Sequence, residues 1–117
     1  MAAVGAHVVR AELVLGADCD PRAVGAAVTT ALCGHWEHDG PCRWPHNNAI
    51  DADASPATFR TLFVATDADA PTVRARIEAA LRGSSSWRAS DVRPERIGAG
   101  DRALARRLLD GPRLPSD

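Results

Sequence analysis

An α+β fold is the class that this sequence predicts, and three observations support it. Segments with the two-residue periodicity of strands alternate with segments that have the 3.6-residue periodicity of helices. Asp, Pro and Gly residues separate these segments, where turns and helix ends require them. The chain has 117 residues, 45% of them hydrophobic, which suffices for one core of mostly Ala, Val and Leu. We therefore expect a single domain over residues 1–117, with a frayed tail over 111–117.

The first part of the chain predicts a strand, a helix and a second strand. Residues 7–15 alternate between apolar and other side chains, as in a strand with one buried face. Asp20 caps the following helix, whose apolar stripe stops at Gly34. Residues 44–50 predict a short strand. A proline at position 45 suits the edge of a sheet, because proline cannot donate a ladder hydrogen bond.

The second part of the chain predicts two strands and two helices. Residues 58–66 are the clearest strand, with apolar side chains on both faces, as in a central strand. Asp69 opens a second helix that ends at Gly83, and residues 87–97 predict a weaker strand broken by a proline. Asp101 then caps a short C-terminal helix.

The resulting order β-α-β-β-α-β, followed by the short helix, resembles the ferredoxin-like split βαβ arrangement. That resemblance implies the strand order 4-1-3-2, with the second strand at an edge and two helices on one face of the sheet. It implies no particular activity, because this arrangement supports many unrelated functions.

Composition limits the classes of function. The formal net charge is −1 with no lysine in the chain, which excludes a lysine Schiff base or a P-loop lysine and predicts no nucleic-acid partner. Neither a signal peptide nor a membrane-spanning segment is apparent, so we expect a cytoplasmic protein that does not bind membranes. In that compartment the cysteines are expected to be reduced or metal-bound.

The segment 33–46 carries most of the unusual chemistry. It contains two of the three cysteines, three of the four histidines and two of the three tryptophans. Thiolate sulfur and imidazole nitrogen are the donors that Zn²⁺ prefers, and they often occur in closely spaced pairs. The pattern C-x-H-x2-H-x3-C-x3-H predicts a zinc-type site in a loop, and its candidate ligands are Cys33, His35, His38, Cys42 and His46.

Five donors exceed the four positions of a tetrahedral ion, so at least one of them has another role. If four bind, the metal has a structural or binding role and holds the loop. If three bind, the fourth position is open, and Glu37 or Asp39 is placed to act as general base on metal-bound water.

Two alternatives use the same segment without a structural metal. In the first, a small enzyme uses Cys42 as nucleophile, with His38 or His46 as base. In the second, the chain is a metal-free protein–protein interaction or dimerisation module. A homodimer through sheet faces or edges belongs to this alternative. A purely structural interpretation of the segment makes Cys33 and Cys42 core residues. A disulfide between Cys33 and Cys42 is sterically feasible but disfavoured by the cytoplasmic prediction.

Overall fold

A computed structural model describes residues 3–33 and 43–111 of the chain. These residues form four strands, three α-helices and one 3₁₀ turn. In chain order they are β1 (Val4–Leu15), α1 (Arg22–Cys33), β2 (His46–Asp51), β3 (Ala57–Thr66), α2 (Ala70–Arg82), β4 (Trp87–Glu95), the 3₁₀ turn (Ala99–Asp101) and α3 (Arg102–Asp110).

The four strands form one antiparallel sheet in the order β2-β3-β1-β4. The α+β class is therefore confirmed, and β2 lies at an edge of the sheet as expected. Residues 62–65 of β3 are buried, which fits a strand that is covered on both faces. No helix in the described ranges is long and apolar enough to cross a membrane.

Helices α1 and α2 cover one face of the sheet and form the main core with it. Each helix turns one apolar stripe inward because residues three and four apart share a face. The strands contribute alternate side chains, since successive residues point to opposite faces. The fully buried side chains of this layer include Leu13, Val24, Val28, Phe59, Phe63, Val73, Ile77 and Leu81.

Helix α3 packs against the opposite face of the sheet. Val8 and Leu62, which are register partners in β1 and β3, contact Ala105 of the helix in a second, smaller cluster. Arg60 of β3 donates two hydrogen bonds to the carboxylate of Asp101, with N···O distances of 2.5 and 2.8 Å. This ion pair connects the N-terminal end of α3 to the sheet.

The bounds of all four strands differ from the sequence-based prediction, that of β3 by one residue, since it begins at Ala57. β1 begins at Val4, three residues earlier than predicted. β2 begins at His46 rather than at residue 44, because Pro45 has no N–H for the ladder and contributes its carbonyl, which accepts the N–H of Val64 at 3.0 Å. β4 ends at Glu95, two residues earlier than predicted.

Candidate functional site

The two ends of the predicted metal loop meet beside the main core. Cys33 is the last residue of α1 and His46 is the first residue of β2, two elements that pack against each other. The Sγ atom of Cys33 lies 4.0 Å from Nδ1 of His46. Of the predicted ligands, these two belong to the described residues. The others, together with the predicted base residues, lie outside them: His35, Glu37, His38, Asp39 and Cys42.

His46 is buried, with 8% of the residue exposed, and both of its ring nitrogens are hydrogen-bonded. The Nδ1 atom lies 3.1 Å from the carbonyl oxygen of Trp44. A carbonyl can only accept, so Nδ1 carries the proton in this arrangement. The Nε2 atom then accepts the hydroxyl of Thr29 at 2.9 Å. In this geometry both ring nitrogens are engaged in hydrogen bonds beside the core, and the metal-ligand role of His46 stays a prediction.

Asn48 extends this hydrogen-bonded chain toward α1. Its amide nitrogen donates to the carbonyl of Gly25 at 3.0 Å and to the hydroxyl of Thr29 at 3.2 Å. Because the Gly25 carbonyl can only accept, the amide orientation is determined. These hydrogen bonds, from Asn48 through Thr29 to His46, connect the edge strand β2 to α1.

Cys33 is disulfide-bonded, which corrects the expectation that the cysteines are reduced or metal-bound. Cys33 is partly buried at the C-terminal end of α1 and packs against the main core. A covalent bond at its sulfur therefore connects the loop that follows to the core. A disulfide sulfur is neither a thiolate ligand nor a nucleophile. Cys19 is a free, partly buried thiol in the turn before α1.

Trp44 lies at the C-terminal end of the loop, two residues before β2. It contacts residues that the Cys/His pattern did not indicate. The side chain is 4% exposed, and its indole N–H donates to a carboxylate oxygen of Asp69 at 3.4 Å. The guanidinium carbons of Arg43 and Arg76 lie 5.0 and 4.9 Å from the ring centroid. Arg76 comes from α2, and no local sequence signal relates it to Trp44.

His7 is the first residue of the predicted strand 7–15, but β1 begins at Val4. Because β1 begins three residues earlier, His7 lies inside the strand and is partly buried. Its ring stacks on Phe63, with 5.2 Å between the centroids. His7 is therefore a sheet residue, and Phe63 lies between it and His46 as the register partner of both.

Within residues 3–33 and 43–111, no group of three or more His, Cys, Asp or Glu side chains is arranged to hold a metal ion. The zinc site and the enzyme with a Cys42 nucleophile therefore stay predictions, since most of their residues lie in the segment 34–42. No protein-family model, curated protein or solved structure matches the chain.

Proposed function

We propose that the protein is a small metal-binding domain, with a structural or binding role, whose loop between α1 and β2 holds one zinc-type ion when its thiols are reduced. The state of His46 carries this proposal. Its ring nitrogens form hydrogen bonds with Trp44 and Thr29, which supports His46 as the surplus fifth donor. Four donors remain for a tetrahedral ion, namely Cys33, His35, His38 and Cys42.

The closure of the loop supports convergence of these four donors. The Sγ atom of Cys33 and the Nδ1 atom of His46, at the two ends of the segment, lie 4.0 Å apart. A loop with its ends this close is compatible with several donors that share one ion, and closely spaced donors are typical of zinc sites.

The disulfide is the oxidised form of the proposed site. The chain has three cysteines and Cys19 is free, so we assign Cys42 as the partner of Cys33. A thiol reductant supplies two electrons and two protons, which breaks the S–S bond and yields two thiols. Metal binding then releases their protons, because the thiolates are the ligands. Sulfurs close enough to bond are placed to share one ion, since zinc–sulfur bonds are about 2.3 Å long.

The finer architecture belongs to the same proposal. The antiparallel order β2-β3-β1-β4, with α1 and α2 on one face, supports a ferredoxin-like split βαβ domain with α3 added at the C-terminus. In that arrangement the metal loop connects the first helix to an edge strand.

Elemental analysis of untagged protein tests the metal. We expect about one equivalent of zinc after incubation with zinc and a thiol reductant followed by desalting, and far less after oxidation. Cys42→Ser should remove the bound zinc, whereas Cys19→Ser, its matched control outside the loop, should retain it. Less than a tenth of an equivalent in the reduced protein would contradict the proposal.

The disulfide at Cys33 favours a second candidate function, a metal-free interaction or dimerisation module. In this case the covalent bond alone holds the loop, and the loop contacts a protein partner. The oxidised, zinc-free protein should then self-associate or bind its partner as well as the reduced protein does. Sedimentation over a hundredfold range of concentration measures the self-association, and a constant monomer would exclude the homodimer.

A further inference from the structure

We propose a second binding site, in which Arg43 and Arg76 bind an oxyanion (the carboxylate or phosphate group of a small ligand) beside Trp44. The site lies between the C-terminal end of the loop and α2. It does not depend on the proposed metal, because every residue that forms it is described and none of them is a predicted metal ligand.

Both guanidinium groups contact the same indole ring. Their central carbons lie 5.0 and 4.9 Å from the centroid of Trp44, within the range of cation–π contact. Trp44 is buried, with 4% of the residue exposed, and its indole N–H donates to Asp69. Two cations on one fixed ring lose less conformational freedom on binding a ligand than two solvated side chains do.

The two cations have no carboxylate partner among the described residues. The ion pairs of residues 3–33 and 43–111 involve other arginines. Asp69 approaches the indole N–H rather than either guanidinium. The Nε atom of Arg43 is shielded from solvent and has no hydrogen-bond acceptor. An unpaired buried donor of this kind is costly, and a ligand oxygen would satisfy it.

The N–H edges of the guanidinium groups are the part of the proposed site that would contact the oxyanion. A cation–π contact uses the face of the group, whereas its N–H bonds lie in the plane and match the oxygens of carboxylate or phosphate. The nearby N-terminus of α2 adds positive potential. Asp69 is the N-cap residue of α2, yet its side chain makes no capping hydrogen bond.

Isothermal titration with inorganic phosphate, and separately with malonate, tests the site at low ionic strength. We expect saturable binding of at least one probe, and the tighter one identifies phosphate or carboxylate as the preferred group. Arg43→Gln and Arg76→Gln should each raise the Kd at least tenfold. Arg74→Gln, on the same helix but not stacked on Trp44, is the matched control and should change the Kd less than twofold.

Two results would overturn the site. One is the absence of saturable binding for both probes. The other is a loss of affinity in Arg74→Gln equal to that in Arg76→Gln, because binding would then reflect diffuse positive charge. Circular dichroism verifies folding of each variant. Arg76 is exposed, so Arg76→Gln alone decides the question if Arg43→Gln does not fold.

Discussion

At the scale of single residues, His46 shows that a histidine at metal-ligand spacing can instead form hydrogen bonds beside the core. Its spacing from Cys42 is typical of a zinc ligand pair. The structure instead surrounds the ring with Thr29 and the Trp44 carbonyl, and a buried polar group needs such partners. The residue that determines its role, Thr29, is 17 positions away in the chain, so the donor pattern could not reveal it.

Replacement of Thr29 by valine tests this role. The two side chains have similar shape, but valine leaves Nε2 of His46 buried without a donor. We expect the free energy of unfolding to fall by about 1–3 kcal/mol, measured by urea denaturation. Thr30→Val, at the exposed neighbouring position of α1, is the control and should stay within about 0.5 kcal/mol of the parent protein. Equal effects of the two variants would contradict the structural role of His46.

The elements depend on contacts that local periodicity does not contain. Helix α3 was predicted from its cap and its leucines, but its attachment to the sheet depends on Arg60 of β3. Asp101 accepts hydrogen bonds from that guanidinium and from the N–H of Gly98 at 2.7 Å. These bonds favour the charged form of the carboxylate.

The attachment of α3 should depend on pH. The Arg60 hydrogen bonds, with that from Gly98, lower the pKa of Asp101 from its ordinary 3.8 to about 2. A lowered folded-state pKa contributes stability that is present above pH 3.8 and is lost as the pH falls toward 2. The difference in unfolding free energy between the parent and Asp101→Asn should therefore shrink over that interval.

Denaturation at several pH values between 2 and 7 measures this difference. Asp110→Asn is the matched control, because Asp110 lies at the exposed end of the same helix and forms no ion pair within the described residues. We expect its effect at neutral pH to be within about 0.5 kcal/mol. A pH-independent effect of Asp101→Asn would refute the assigned role of this carboxylate.

At the scale of the whole molecule, stability depends on the centre of the sheet. Phe63 has no exposed surface and is the register partner of His7 on one side and of His46 on the other. It therefore connects the central pair of strands to the edge strand that begins after the loop.

Phe63→Ala should destabilise the entire domain. Truncation of a buried phenylalanine costs about 3–5 kcal/mol, which is a large part of the roughly 5–15 kcal/mol that stabilises a typical domain. Thermal and urea unfolding should both shift accordingly. Val14→Ala is the control, since Val14 is 63% exposed and its truncation should change the stability by no more than about 0.5 kcal/mol. A shift for Phe63→Ala as small as that of the control would contradict this account.

The kinds of element, their order and the edge position of β2 followed from the amino-acid pattern, because periodicity, caps and prolines act over a few residues. The concentration of donors in 33–46 was equally visible, and it directs attention to this loop. The tertiary structure added contacts that the donor pattern did not show. These are the hydrogen bond of His46 with Thr29, the disulfide at Cys33, and the contact of Arg76 with Trp44. Such contacts join residues that are distant in the chain, so they arise from how helices pack on a sheet and not from local preference.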